Sequence, residues 1–286
     1  MNGILIMDKP AGFTSHDVVA KLRGICGTRR IGHSGTLDPM ATGVLPVFIG
    51  RATRACEFAE GDDKVYRATL TLGVTTTTQD SSGTVLSESP VLCDLTDVRA
   101  AASGFLGEIE QIPPMYSAIK VGGKKLYELA RSGVEIERKA RKITVYSIDV
   151  TQLGTREYSL LIHCSKGTYV RTLCADIGAS LGCGGMMSAL RRIRAGRFDE
   201  SMAHGFDEVS DNPTAHLLPV DSLFSHFPKV TLSPSGERKC KNGALVPCKT
   251  AELGARYRVY SESGEFLMLA EGIDGNLKTV KSFFEV

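Results

Sequence analysis

Apolar residues near the N-terminus and in two later stretches show the patterns of β-strands. A short continuous apolar run at residues 3–7 predicts a buried strand. Apolar and polar residues alternate at residues 66–72, and residues 158–164 form another segment rich in apolar residues. Both segments are typical of strands packed against a core. The sequence therefore predicts at least three strands in its first 164 residues.

Two other segments have the spacing of amphipathic helices. Ser15 precedes apolar residues at helical spacing, which predicts a capped helix there: Val18, Val19 and Leu22. A second helix is predicted from apolar residues about one turn apart, ended by Gly182: Val170, Leu173, Ile177 and Leu181. Because helices and strands do not alternate regularly along the chain, a parallel βαβ sheet is disfavoured. The pattern indicates an α+β core.

The pattern changes near residue 228. Short alternating segments at residues 256–260 and 266–270 are separated by glycines, which predicts a small barrel of short strands in residues 228–286. Between residues 229 and 258 there are seven basic and two acidic residues. This excess of positive charge is consistent with a surface that faces phosphates. A solvated basic face without a partner remains the alternative.

Composition narrows the class of protein. The chain has 286 residues, enough for one sizeable core and a small second domain, and a formal net charge of +2. Its eight cysteines include no C-x-x-C pair and its six histidines no ligand-like spacing, so a metal site is disfavoured. No segment approaches the ~20 apolar residues of a membrane span. We expect a reduced, cytoplasmic protein without membrane attachment.

One carboxylate is isolated in a loop-forming segment at residues 32–46. Asp38 is the only acidic residue between Asp17 and Glu57, whereas six basic residues share that window: Lys21, Arg23, Arg29, Arg30, Arg51 and Arg54. Nearby cations favour an ionised carboxylate, which can act as a nucleophile or a base. Asp before Pro is also ordinary turn chemistry, so a structural role for Asp38 remains open on local residues alone.

Six motifs together resemble one family. The segment around Asp38, GHSGTLDPMATGVL, is similar to the catalytic block of the TruB family of tRNA pseudouridine synthases. Five further segments resemble blocks of the same family, in the same order, over roughly the first two hundred residues: 8–15 (DKPAGFTS), 64–68 (KVYRA), 113–118 (PPMYSA), 167–173 (GTYVRTL) and 190–192 (LRR).

The resemblance implies a fold and an activity. It implies a pseudouridine-synthase-like core with a mixed, largely antiparallel sheet in residues 1–227, an RNA-binding insertion at about 113–143, and a PUA-like RNA-binding domain in residues 228–286. The activity would be isomerisation of uridine to pseudouridine in the tRNA T-loop, at the position conventionally numbered 55. No cofactor or metal is needed for this reaction. The partner would be the T-arm of tRNA, bound by a monomer without an obligate protein partner.

The resemblance also assigns roles to single residues. Asp38 would be the catalytic carboxylate, which attacks the ribose or the base or removes a ribose proton. Arg171 would pair with Asp38, and Tyr66 would stack on the target base and take part in proton removal. Four residues would contact the flipped-out nucleotide or support the catalytic loop and its pocket: His33, Lys9, Asp80 and Leu190.

Basic residues in the predicted insertion are candidates for RNA contact. Arg141 and Lys142 end a basic run that begins at Arg138, and four more cations precede it: Lys120, Lys124, Lys125 and Arg131. A further candidate surface for RNA contact lies later in the chain: Arg191, Arg192, Arg194 and Arg197. Because glycines interrupt residues 120–142, this segment is predicted to be a mobile insertion that closes on RNA. Two alternatives remain: an RNA-binding or RNA-folding protein without required catalysis, and a guide-RNA-dependent relative of the same family.

Overall fold

A computed structural model describes residues 1–117 and 119–285; the side chains of Lys120, Lys124, Lys125 and Arg131, all predicted RNA contacts, lie outside the described part. The strands are β1 (Gly3–Lys9), β2 (Ile31–His33), β3 (Thr42–Ile49), β4 (Lys64–Leu72), β5 (Val74–Thr76), β6 (Val85–Glu88), β7 (Gly107–Gln111), β8 (Lys120–Val121), β9 (Lys124–Lys125), β10 (Arg141–Gln152), β11 (Glu157–Cys164), β12 (Gly185–Ala195), β13 (Phe198–Asp199), β14 (Lys229–Thr231), β15 (Val246–Pro247), β16 (Arg256–Tyr260), β17 (Phe266–Ile273) and β18 (Asn276–Ser282).

The helices lie between the strands in the chain. They are α1 (Ser15–Ile25), α2 (Cys56–Glu60), α3 (Leu95–Ser103), α4 (Leu126–Arg131), α5 (Val170–Ser180), α6 (Phe206–Asp211) and α7 (Pro234–Lys241). Three short 3-10 helices lie at Gly50–Ala55, Glu200–Met202 and Val220–Phe224. None of the helices in the described ranges is both long and apolar enough to cross a membrane.

One large sheet organises most of the chain. Its strand order is β1-β3-β12-β4-β11-β10-β7, with β2 paired to β3 and β13 to β12. All pairings are antiparallel except that of β12 with β3, where Arg191 and Arg192 pair with Thr42 and Gly43. The predicted α+β fold with a mixed, largely antiparallel sheet is confirmed. The one parallel pairing sets β12 beside the strand that follows the Asp38 loop.

The predicted helices form where their apolar faces meet this sheet. Thr14 caps α1 through a capping box with Asp17, and the helix buries Val18 and Leu22 against β1 and β3. Helix α5 buries Leu173 and Ile177 in a second apolar cluster with β4, β11 and β12. It ends before Gly182, which adopts a left-handed backbone at φ 76°. Helices α1 and α5 thus pack against the sheet through two separate apolar clusters.

The last sixty residues form a second sheet. Its order is β14-β16-β17-β18-β15, with β14 parallel to β16, and this half-barrel is consistent with the predicted PUA-like fold. Leu269 of β17 and Phe283, which follows β18, share an apolar cluster with Ile4 and Phe48 of the first sheet. The second sheet is therefore packed directly on the back of the core.

Candidate active site

Three contacts shape the loop that carries Asp38, between β2 and β3. The Ser15 hydroxyl accepts a hydrogen bond from the Leu37 amide at 2.9 Å. The Pro39 carbonyl accepts one from the Gly12 amide at 2.8 Å and one from the buried Lys9 ammonium at 3.2 Å. These bonds tie both neighbours of Asp38 to the segment between β1 and α1. The Asp38 carboxylate therefore lies on a loop whose shape is fixed by hydrogen bonds to Lys9, Gly12 and Ser15.

Asp38 is paired with a buried arginine from α5. The Arg171 Nε lies 2.9 Å from Asp38 Oδ2, and its Nη2 donates to Asp38 Oδ1 at 3.4 Å. The Arg171 side chain is 5% exposed, whereas that of Asp38 is 37% exposed. A two-pronged contact of this kind fixes both the position and the orientation of the carboxylate. Asp38 is thus held from one side and open to a ligand on the other.

Arg171 also bonds to a second carboxylate, that of Asp80. Its Nη1 lies 3.3 Å from Asp80 Oδ2, and Asp80 Oδ1 accepts bonds from the Thr78 hydroxyl and the Ser82 amide. Both Arg171 and Asp80 are almost completely buried. Arg171 completes its hydrogen bonding on two backbone carbonyls, those of Thr78 and Tyr116. One guanidinium therefore links two carboxylates and two loops.

The first turn of α5 is anchored by two amide side chains. The Gln111 carboxamide at the end of β7 accepts from the Tyr169 amide at 2.7 Å and donates to its carbonyl at 3.1 Å. The Thr172 hydroxyl donates to the Gln79 side chain at 2.8 Å. Gln79 has a left-handed backbone, at φ 64°, next to Asp80. Both anchors hold the helix start from which Arg171 extends.

Burial shifts the pKa values of two charged groups at this site, Asp38 and Lys9. Burial raises the pKa of Asp38 above its ordinary value, while the charge of Arg171 opposes that rise and the nearby Asp80 adds to it. Desolvation therefore opposes the ionised form of Asp38, whereas the sequence indicated only the favourable effect of nearby cations. Burial also lowers the pKa of Lys9 to about 8, and the charge of Asp38 partly offsets this effect.

Tyr66 and Leu190 lie on neighbouring strands near the Asp38 loop. Tyr66 packs against the apolar cluster that contains Leu37, Ala41 and Leu190, and burial raises the pKa of its hydroxyl. Leu190 is 8% exposed and pairs with Ala68 on β4. His33 ends β2 at the start of the same loop, and its Nδ1 is buried without a hydrogen-bond partner among the described residues. Burial lowers the pKa of His33.

Arg141 and Lys142 lie apart from this cluster. They begin β10 and pair with Gln111 and Glu110 on β7. Lys142 is exposed and forms an ion pair with Glu108 at 2.8 Å. The structure thus brings together the other seven predicted site residues around the Asp38 loop and leaves the two basic residues at the start of β10.

Three residues of the site were not predicted from sequence. Gln79, Gln111 and Thr78 carry no local signal, because their roles depend on contacts with α5. Arg192 was predicted to lie on a basic surface that faces RNA, and this prediction is wrong for Arg192, because its side chain is completely buried beneath the Asp38 loop. In the ranges that the structure describes, no group of three or more His, Cys, Asp or Glu side chains is arranged to hold a metal ion.

Family models match two consecutive stretches of the chain. Residues 23–170 match the N-terminal domain of the TruB family pseudouridylate synthases, and residues 171–225 match the tRNA pseudouridylate synthase B C-terminal domain. The division between these models falls in the first turn of α5. It therefore does not mark a boundary between the two sheets.

Curated relatives match over nearly the whole length. The tRNA pseudouridine synthase B of Clostridium kluyveri is 43% identical over 289 residues, covering 99% of this chain and 100% of that protein. The protein of the same name from Bacillus subtilis is 42% identical, covering 94% of this chain and 92% of that protein.

Solved structures share the fold. A Cbf5-Nop10-Gar1 complex contains a chain that matches with a TM-score of 0.75 at 26% identity, covering 99% of this chain and 85% of that one. A chain of an H/ACA RNP bound to a substrate RNA containing 2'-deoxyuridine matches with a TM-score of 0.74 at 24% identity. At this identity the second match concerns the fold alone.

Proposed function

The chain belongs to the TruB family of pseudouridylate synthases, and on that premise we propose that it isomerises uridine to pseudouridine in tRNA, at T-loop position 55. The observation that carries this proposal is the pairing of Asp38 with the buried Arg171 on a fixed loop. The carboxylate is oriented by the guanidinium and still 37% exposed, so it can reach a bound nucleotide. The reaction breaks the N-glycosidic bond, turns the base and rejoins it through carbon, which requires no cofactor.

The side chains around Asp38 fit the roles that this reaction requires. Asp38 acts as nucleophile or base, and Arg171 and Asp80 keep it oriented. Tyr66 stacks on the uracil and takes part in the later proton removal, and Leu190 forms an apolar wall beside it. Because a base inside a folded loop must be flipped out at a cost of a few kcal/mol, we assign His33 to the space that the base leaves. Lys9 supports the loop through the Pro39 carbonyl.

RNA binding is assigned to surfaces outside the catalytic cluster. We propose that the insertion at residues 113–143, with Arg141 and Lys142, contacts phosphates of the T-arm. We also propose a domain boundary between residues 227 and 228, since all five strands of the second sheet follow it. The second sheet would bind another part of the tRNA. A monomer in the cytoplasm, where tRNA is found, suffices for this arrangement.

The test uses purified protein and an unmodified tRNA transcript. Pseudouridine is mapped at single-nucleotide resolution under single-turnover conditions, and tRNA affinity is measured in parallel. Asp38→Asn removes the negative charge at nearly constant size, so we expect no pseudouridine and near-parent affinity. Asp94→Asn, at the cap of α3, is the matched control and should convert tRNA at the parent rate. If Asp38→Asn also converted tRNA at the parent rate, Asp38 would not be the catalytic carboxylate; if the parent bound tRNA without converting it, the chain would be an RNA-binding protein.

A second candidate is guide-RNA-dependent modification, favoured by the structural match to the chain from the Cbf5-Nop10-Gar1 complex. The same assay separates the two. Conversion of position 55 by the isolated protein, without added RNA or protein partners, supports stand-alone action. A parent protein that is inactive until a guide RNA is added would favour the second candidate.

A further inference from the structure

Arg192 is the largest side chain that is completely buried in the described residues, at 0% exposure. A guanidinium stays charged in proteins, and burying it is costly unless it is hydrogen-bonded or paired. Within residues 1–117 and 119–285, no carboxylate forms an ion pair with Arg192. Its hydrogen bonds to backbone carbonyls must therefore account for its position.

Two of those bonds go to opposite ends of the Asp38 loop. Arg192 Nη2 donates to the Gly35 carbonyl at 2.9 Å, before Asp38, and Nε donates to the Val44 carbonyl at 2.7 Å, after it. The backbones of Arg192 and Gly43 are in close contact, since a Cβ at Gly43 would lie 2.2 Å from the Arg192 carbonyl oxygen. One side chain thus fixes the separation of the two loop ends.

The remaining donor group, Nη1, is buried and has no hydrogen-bond partner among the described side chains and backbone. Arg192 pairs directly across the sheet with Tyr66, so the two side chains extend from the same face. The positive φ of Gly35, 72°, and its missing side chain leave space there, because a Cβ would lie only 3.1 Å from Nη1. The unpartnered donor therefore lies between the catalytic loop and Tyr66.

Charge supports the same arrangement. Burial raises the pKa of the Tyr66 hydroxyl, and the positive charge of Arg192 opposes that rise. The same charge lowers the pKa of two neighbouring ammonium groups, Lys9 and Lys64, in addition to their burial. Arg192 is thus the permanent cation at the centre of a buried basic cluster beneath the loop.

We propose that Arg192 is a positioning residue that holds both ends of the Asp38 loop and directs Nη1 to the Tyr66 hydroxyl, orienting it for proton transfer. The assignment of proton transfer rests on the proposed function. The loop contacts and the link to Tyr66 are properties of the free protein. They are therefore tested without RNA.

The first measurement follows the Tyr66 hydroxyl itself. Site-specific 3,5-difluorotyrosine at position 66 has a more acidic hydroxyl, which brings its titration into a range where the protein is folded, and fluorine NMR reports it. Arg192→Met should raise the pKa of this hydroxyl by about one unit or more, because a nearby cation is lost. Arg191→Met is the matched control: Arg191 pairs with Asp8 at 2.9 Å and with Glu200, so the titration should not move.

The second measurement separates charge from geometry. Arg192→Lys keeps the positive charge but has one nitrogen in place of the three of a guanidinium, so it cannot reach Gly35 and Val44 together. We expect a label pKa near that of the parent and single-turnover pseudouridine formation at least about tenfold slower, with unchanged tRNA affinity.

Each outcome decides the proposal. An unchanged label pKa in folded Arg192→Met overturns the link to Tyr66. If Arg192→Met does not fold, Arg192→Lys decides: parent-like turnover overturns the positioning role, and slowed turnover with a parent-like label pKa supports it. A parent protein that does not modify tRNA would contradict the proposed function instead, and the RNA-free titration would still stand.

Discussion

Replacing Arg171 by Met should shift the pH dependence of catalysis as well as slow it. Arg171 makes two contacts with Asp38 and one with Asp80, and both carboxylates lose their counter-charge when it is removed. Burial and Asp80 already raise the pKa of Asp38, and the charges of Arg171 and Lys9 oppose them. The pKa of Asp38 should therefore rise further in Arg171→Met.

The size of this shift follows from the geometry. Unit charges about 4 Å apart interact by about 4 kcal/mol at an effective dielectric constant of about 20. The Asp38 side chain is 37% exposed, so solvent screens part of this energy, and we take about half, near 2 kcal/mol. That corresponds to a rise of about 1.5 units in the pKa of Asp38. The acid limb of the rate profile should move to higher pH by this amount.

The assay is single-turnover conversion of an unmodified tRNA transcript from pH 5 to pH 9, with saturating enzyme. Because a raised carboxyl pKa is overcome at higher pH, Arg171→Met should recover part of its lost rate as pH rises. Arg171→Lys keeps the charge and should retain an acid limb close to that of the parent. Arg99→Met, which removes a surface arginine bonded to the Val150 carbonyl, is the control for loss of an arginine. An acid limb at the parent position in folded Arg171→Met would refute the electrostatic reasoning.

Three further predictions concern stability and binding. The pKa of Lys9 is lowered from 10.5 to about 8 in the folded protein, so folding releases a proton when the pH lies between these values. The unfolding free energy of the parent, relative to that of Lys9→Met, should therefore rise by about 2 kcal/mol from pH 7 to pH 9.5 in urea unfolding. A difference that does not change with pH would contradict this. Gly43→Ala should lower the free energy of unfolding by more than about 2 kcal/mol in the same assay, since its Cβ would lie 2.2 Å from the Arg192 carbonyl oxygen. Gly24→Ala in α1 is the control: its Cβ meets open space, so it should raise the free energy of unfolding by about 0.5 to 1 kcal/mol. Alanine at both Arg141 and Lys142 should reduce the salt dependence of tRNA affinity by one to two counterions, at about 0.7 to 0.9 per phosphate, and an unchanged slope would exclude phosphate contact there.

The sequence alone determined the elements whose burial is local. Residues 158–164 and 66–72 are strands as predicted, and the α5 helix spans the predicted face and stops before Gly182. In these segments each side chain faces the core or the solvent according to its own periodicity, so the pattern is sufficient. The motif around Asp38 likewise indicated the family, since its specified residues lie within fifteen positions.

Only the tertiary structure decided how the site works. Asp38, Asp80 and Arg171 come from two loops and one helix, and their contacts depend on how α5 packs on the sheet. The direction of the Asp38 pKa shift could not be predicted from the sequence either, because desolvation depends on the atoms that surround a group in space rather than on its neighbours in the chain. For the same reason no local pattern showed that Arg192, one of two adjacent arginines, would be completely buried. Burial and long-range contacts exist only in the folded chain, and they determine the pKa values of the groups at the site.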